Sequence, residues 1–145
     1  MIVGINHVTL ATRDLDESFQ FYHDLLGIPW LAKWRNGVYL LAGDLWLCLS
    51  LDVQTKSEPL PEYTHIALTV AREGFDQICR HLITNDIKIW KENASEGESL
   101  YILDPDHNKL ELHVSDWQSR INSIRKKPYA DLQINEAFLE ELNKR

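Results

Sequence analysis

A chain of 145 residues, 44% hydrophobic and 26% charged, has the balance of an ordinary globular protein and is too apolar for the disordered class. At this length folding is expected to bury roughly 68–70% of the unfolded surface, enough for a real core. Fifteen Lys and Arg against 22 Asp and Glu give a net charge of −7, which argues against nucleic acid or an anionic membrane as partner; a small anionic substrate then needs a local positive site.

No run approaches the ~20 apolar residues of a membrane span. The first residues lack the basic-then-apolar pattern of a signal peptide, so a cytoplasmic protein is expected. Cys48 and Cys79 form no CxxC pair and read as buried, reduced thiols.

Along the chain, GINHVTLAT alternates with the two-residue period of a strand, placing Val8 and Leu10 on one face and His7 and Thr9 on the other. Asp14 as N-cap, Glu17 three residues on, then Phe19, Tyr22, Leu25 and Leu26 at helical spacing before Gly27, predict a helix over about 15–26. Strands are expected over 30–34, 38–42 and 46–51, with Asn36-Gly37 and Gly43-Asp44 as the hairpin turns. In the last of these, Leu47, Leu49 and Leu51 oppose Trp46, Cys48 and Ser50.

A polar, Pro-containing linker over 54–61 precedes a restart, because Thr64-His65-Ile66-Ala67-Leu68 repeats Asn6-His7-Val8-Thr9-Leu10. Ile66, Leu68 and Val70 form an apolar face against Tyr63, His65, Ala67 and Thr69. A helix follows over about 73–84, then strands near 87–91, 99–103 and 109–114, the last alternating Leu110, Leu112 and Val114 with Lys109, Glu111 and His113. The run from Asp104 to Asn108 supplies the final turn. Arg125 to Lys127 before Pro128 marks a helix C-terminus, and NEAFLEELNKR reads as a short amphipathic helix.

The organisation predicts an α+β fold: two βαβββ modules, about 1–53 and 62–115, with curved, cleft-lining mixed sheets and helices on the outer faces. A helical extension over about 116–145 completes a single domain, 1–145. His7, His65 and Glu111 each lie opposite their apolar neighbours. Singly, each is the wet side of a pleat. As a set they gain weight from the repeat, since His7 and His65 hold one station and Glu111 sits where the first module has Cys48. The three are then expected to converge on one concave surface. Two imidazoles and a carboxylate suit Mn(II), Fe(II), Zn(II) or Ni(II), and three protein ligands leave positions open for water and substrate.

With these residues in view, GINHVTLATRDLDESFQFYHDLLGI, GDLWLCLS, YTHIAL, IWKENASEGESLYILDPDHNKLELHV and RKKPYA together resemble the fosfomycin-resistance glutathione transferases of the vicinal oxygen chelate superfamily, over about residues 1–132. The resemblance implies metal-dependent conjugation of glutathione to the epoxide of fosfomycin in a homodimer with exchanged arms and shared active sites. It implies Mn(II), or another divalent ion, on His7 from one subunit and His65 and Glu111 from the other. A K⁺ site would lie in the loop Asn93, Ala94, Ser95, Glu96, Gly97, made mostly by carbonyls of Asn93, Ser95 and Gly97. Lys91, Ser99, Tyr101 and Arg120 would hold the phosphonate, Thr9 would contact the oxirane oxygen, Trp46 would pack on substrate, and Tyr39 and Tyr63 would sit near the entrance.

The sequence departs from the family pattern in three places. Asp104-Pro105-Asp106-His107-Asn108 lacks the usual Gly-His, so either Asn108 is left-handed or the turn shifts by one residue. Ala94 stands where a basic residue is frequent, and residues from 135 onward lie beyond the usual end. The rival functions are an epoxide hydrolase of the same superfamily, which has a Glu near the loop where this chain has Asn36-Gly37, a glyoxalase-like isomerase, which needs a fourth ligand at the Cys48 station, and a metal-free drug-sequestering dimer.

Overall fold

The computed structural model, which describes residues 2–144, resolves this alternation into two four-stranded sheets. Sheet A holds β1 (His7–Thr12), β2 (Trp30–Trp34), β3 (Gly37–Ala42) and β4 (Leu45–Leu51) in the order β1-β4-β3-β2. Sheet B holds β5 (Ile66–Thr69), β6 (Ile89–Lys91), β7 (Glu98–Leu103) and β8 (Lys109–Val114) in the order β5-β8-β7-β6. In each sheet the first strand pairs parallel with the last and the other pairs are antiparallel. The expected α+β class with two βαβββ modules is the fold of the chain.

The strand register places the two modules in correspondence. Thr9 lies opposite Cys48 and Ala67 opposite Glu111. Since His7 and His65 each stand two residues before those positions, Cys48 and Glu111 occupy equivalent stations. Tyr39 opposes Cys48 as Tyr101 opposes Glu111. One core lies under both sheets: Leu15, Phe21 and Tyr22 from the first helical segment pack with Val38, Leu40, Leu47 and Leu49, while Phe75 and Leu82 of α2 (Arg72–Thr84) pack with Ile102, Leu110 and Leu112. With the leucine faces covered, the polar faces of both sheets are left for a site.

Helix α1 (Leu15–Phe19) starts as the sequence requires, with the Asp14 carboxylate accepting from the backbone N–H of Asp16 (3.1 Å) and Glu17 (3.0 Å). Its continuation, Gln20–Leu25, is π-helical, a widening that periodicity does not announce. Gly27, at φ +73°, then ends it.

One turn differs from expectation, and in another the structure chooses between two alternatives. Arg35 and Asn36 form the β2–β3 turn, and Gly37 is already in β3, where the Trp34 ring lies across it: a Cβ there would meet Trp34 Cζ2 at 2.3 Å. In the β7–β8 turn the second alternative holds: the turn is shifted by one residue, and the left-handed residue is His107, at φ +63°. Asn108 is held instead by Asp104, which accepts from its backbone N–H at 2.8 Å and its side-chain amide at 2.7 Å. Both cysteines are free; Cys48 is buried as expected, and Cys79 is only half-buried.

That β7–β8 turn joins the modules. The Tyr22 hydroxyl donates to Asp104 at 2.6 Å, and Asp106 accepts from the Ser18 hydroxyl (3.2 Å), the Arg13 backbone N–H (3.0 Å) and Arg13 Nε (3.4 Å). Burial pushes the Asp104 carboxyl up and, with the Asp104 charge beside it, the Tyr22 phenol up as well. Asp106 goes the other way: burial opposes its ionisation, but the hydrogen bonds from Thr12, Arg13 and Ser18 prevail and hold it below the ordinary aspartate value.

By contact, residues divide into units Met1–Val114 and Ser115–Arg145. The second contains α3 (Trp117–Lys126), capped by Asp116 and ending on Arg125 and Lys126 as expected, and α4 (Glu136–Leu142), capped by Asn135. Arg125 pairs with Glu136 at 2.5 Å. Among the described residues no helix is long and apolar enough to cross a membrane.

Asp106→Asn is expected to lower stability by about 1–3 kcal/mol near neutral pH, since an amide has one acceptor oxygen in place of two and no charge for the donors from Arg13 and Ser18. A depressed carboxyl stabilises the fold above its ordinary value of 3.8 and stops doing so as pH falls through its folded value. The difference in melting temperature between wild type and Asp106→Asn therefore narrows on acidification below that point; a constant difference down to acid unfolding contradicts the ion-pair assignment.

Candidate metal and anion site

Histidine 65, one residue before β5, directs its two ring nitrogens to different partners. Nδ1–H donates to the Tyr63 carbonyl at 2.8 Å, leaving Nε2 facing Glu111 Oε2 at 3.0 Å. A carboxylate oxygen and an unprotonated imidazole nitrogen are both acceptors, so this pair is attractive only with a positive charge between them, a proton or a metal ion. The Nδ1–H to carbonyl bond is also the outer-shell contact that fixes a metal-binding imidazole in its Nε2-donor tautomer. The two residues fit a divalent cation on this chemistry.

Glu111 is buried at 7% exposure on β8. Burial raises its carboxyl, yet the hydrogen bond from the Ser99 hydroxyl (2.6 Å) and the neighbouring His113 (3.2 Å) hold it below the usual glutamate range. Around the pair stands an aromatic wall of Tyr63, Trp90 and Tyr101, each with its ring centroid within 4.9–6.2 Å of that of His65. Trp90 is locked by donating Nε1–H to the Leu110 carbonyl at 3.1 Å. Lys91 completes the group: its ammonium donates to the Tyr63 hydroxyl at 2.7 Å and lies 4.9 and 4.6 Å above the Tyr63 and Tyr101 ring centres. The Tyr63 bond is the main reason its ammonium is held above the ordinary lysine value. Sheet B thus brings together His65, Glu111, Ser99, Tyr101, Lys91 and Tyr63 of the sequence-derived set. It adds Trp90 and His113, which the sequence reading left without a site role although His113 lay on the selected face.

A second group lies on sheet A. His7 Nδ1–H donates to Asn6 Oδ1 at 2.7 Å, the same outer-shell arrangement that leaves Nε2 as the donor. The His7 ring lies against Trp46 (centroids 4.8 Å apart), Trp46 against Tyr39 (4.9 Å) and Tyr39 against Trp34 (4.7 Å). Trp46 Nε1 is buried without a hydrogen-bond partner. Thr9 lies on the same face as His7, exposed.

The expectation of three ligands converging on one surface is therefore not met within one chain. Among the described residues no three His, Cys, Asp or Glu side chains of a single chain are placed to hold a metal ion, because His7 belongs to sheet A and the other two to sheet B.

Between β6 and β7, Asn93 organises the loop: its amide donates to the Gly97 carbonyl at 2.8 Å, and its Oδ1 accepts from Ser95 N–H (3.2 Å) and Ser95 Oγ–H (3.3 Å). Gly97 is left-handed at φ +85°. Glu96 and Ala94 lie in the same loop, and Arg120 lies on α3 in the second unit.

The Glyoxalase/Bleomycin resistance protein/Dioxygenase superfamily model matches residues 4–112, and the chain belongs to that superfamily. Within it the chain groups with the fosfomycin-resistance glutathione transferases. It is 48% identical over 134 residues to glutathione transferase FosA of Serratia marcescens, covering 91% of this chain and 95% of that one. To metallothiol transferase FosB of Staphylococcus haemolyticus it is 32% identical over 139 residues, 92% of this chain and 100% of the other. A crystallised variant of the fosfomycin resistance protein FosX of Listeria monocytogenes, complexed with Mn(II) and 1S,2S-dihydroxypropylphosphonic acid, shares the fold at a TM-score of 0.73 and 23% identity, over 84% of this chain and 99% of that one.

Mn(II) at 100 times its dissociation constant is expected to stabilise the wild-type protein by about 2.7 kcal/mol, and to leave the melting temperature of Glu111→Gln unchanged. Equal shifts in both proteins contradict the assignment of Glu111 as a ligand.

Proposed function

We propose that this chain is a metal-dependent transferase that adds glutathione to the epoxide of fosfomycin and so inactivates the antibiotic. The observation that carries the reading is the His65 Nε2–Glu111 Oε2 pair beside Lys91: a cation site next to an ammonium, in a protein otherwise negatively charged. The family relation supports it, since the FosA relative is named a glutathione transferase.

In this reading the site is completed in a homodimer with exchanged arms, where His7 of one subunit joins His65 and Glu111 of the other. Two features support that assembly. His7 presents its Nε2 with Nδ1 already occupied, and β1 and β5 are edge strands, each paired on one side only. A divalent cation held there, Mn(II) in the first instance, supplies Lewis-acid polarisation of the epoxide oxygen.

The chain's own residues do the rest. Lys91, with Arg120, Ser99 and Tyr101, binds the phosphonate and fixes the epoxide. Trp46 and Tyr39 form the apolar side of the cleft, and Tyr63 flanks its mouth. The glutathione sulfur attacks one epoxide carbon from the face opposite the oxygen; the C–S bond forms as the C–O bond breaks, and the proton lost by the thiol ends on the new hydroxyl. Thr9 donates to the oxygen as its charge develops. Carbonyls of Asn93, Ser95 and Gly97 hold K⁺ in the loop that also carries Glu96, adding positive potential near the phosphonate.

We further take 1–145 as one working domain, with 116–145 as its extension, acting in the cytoplasm where glutathione is held. An epoxide hydrolase reading needs a carboxylate at the β2–β3 turn, and this chain has Arg35 and Asn36 there.

Phosphorus NMR separates the outcomes. Fosfomycin with protein, Mn(II), K⁺ and glutathione is expected to give the thiol adduct, with no turnover in Glu111→Gln and kcat lowered about 10²–10³-fold in Thr9→Val. Diol formed at the same rate without glutathione would overturn the transferase reading.

A further inference from the structure

His113 and Ser99 face each other across the β7–β8 ladder. The Ser99 Oγ is 2.6 Å from Glu111 Oε1 and 2.6 Å from His113 Nδ1, and His113 Nδ1 is itself 3.2 Å from the same Oε1. Three polar atoms in mutual contact must share protons, and the count decides how. A carboxylate brings none and the hydroxyl brings one. Were Nδ1 bare, the hydroxyl proton would satisfy one 2.6 Å contact and leave two acceptors facing each other across the second. With a proton on Nδ1 every contact is attractive: Nδ1–H donates to Oγ, and Oγ–H donates to Oε1.

We propose that His113 is a positioning residue that acts through Ser99, fixing the serine hydroxyl as a donor to Glu111 Oε1. That bond occupies one carboxylate oxygen and holds the plane of the group, so that Oε2 is the oxygen presented to His65 Nε2. The same polarity keeps Ser99 a donor, never an acceptor, toward a phosphonate oxygen that replaces Oε1 as its partner. Sheet geometry makes the arrangement rigid: Ser99 and His113 are half-buried on adjacent strands, and the His113 carbonyl accepts from Val70 N–H at 2.9 Å, tying β8 to the end of β5. The inference rests on Glu111 being a metal ligand, as proposed above.

The test is Mn(II) binding without substrate, read from the loss of the free-ion EPR signal, in wild type, His113→Phe, His113→Asn, Ser99→Ala, the Ser99→Ala/His113→Phe double variant and Glu111→Gln. Phe keeps the ring volume and removes the donor; Asn restores an N–H near the Nδ1 position. His113→Phe and Ser99→Ala are each expected to weaken Mn(II) binding about 10–100-fold, with His113→Asn within about 3-fold of wild type. The double variant is expected to bind no more weakly than the weaker single, because the two residues act in series. Ser99→Ala keeps the proposal testable if His113→Phe does not fold. Wild-type affinity in His113→Phe or in Ser99→Ala, or fully additive losses, overturns the proposal, provided that Glu111→Gln has lost the ion. Tight Mn(II) binding by Glu111→Gln overturns the ligand assignment beneath it.

Discussion

An imidazole nitrogen and a carboxylate oxygen 3.0 Å apart, with the other imidazole N–H already given to a backbone carbonyl, set the character of this protein. Two acceptors at that distance repel unless a positive charge lies between them. The surroundings favour keeping the carboxylate ionised. Ser99 and His113 occupy its other oxygen, and their hydrogen bonds offset the burial that would protonate it. Trp90 and Tyr101 exclude water from one side of the pair, which strengthens every electrostatic interaction inside. Lys91 adds a cation within the same wall, held by Tyr63. A site of this kind suits a small dianion that brings its own oxygens to a metal.

The fold explains how a chain with net charge −7 builds such a place. Each module hides its leucine face under a helix and leaves the opposite face free, and the register puts Thr9 opposite Cys48 in one module and Ala67 opposite Glu111 in the other. One module keeps the histidine and loses the carboxylate; the other has both. Half the chemistry is thus on sheet A, with His7 and its Trp46–Tyr39–Trp34 stack, and half on sheet B. The Asp104–Asp106 turn, buried against Tyr22, Ser18 and Arg13, fastens the second module to the first through charges that depend on their partners.

Much of this was legible in the sequence because strand alternation is strict there. The faces carrying His7, His65 and Glu111 follow from period two alone, as does the repeat. Other features required contacts that the residue pattern does not show. The two-residue turn is Arg35–Asn36, one residue before the expected Asn36-Gly37, and Gly37 serves instead as the strand residue on which the Trp34 indole rests. For the β7–β8 turn the sequence left two geometries open, and the shifted one, with His107 left-handed, is the one in which Asp104 accepts both the backbone and side-chain donors of Asn108. The π-helical continuation over Gln20–Leu25 leaves the apolar spacing of Phe21, Tyr22 and Leu25 readable as an ordinary helix. His113 fell on the selected face but carried no spacing that distinguishes a supporting group from a solvated one; its role comes from two distances of 2.6 Å that share one hydroxyl.

The claim on which function turns is that sheet A of one subunit and sheet B of another form each complete site. Subunit mixing measures it directly. His7→Ala and Glu111→Gln proteins, each inactive alone, are unfolded together, refolded and assayed for fosfomycin conjugation with Mn(II) and glutathione. If sites are shared between subunits, random pairing leaves half the dimers with one intact site of two, and activity returns to about a quarter of the wild-type value. If every site is built within one chain, no combination contains an intact set and the mixture stays as inactive as its parents, which would contradict the shared site.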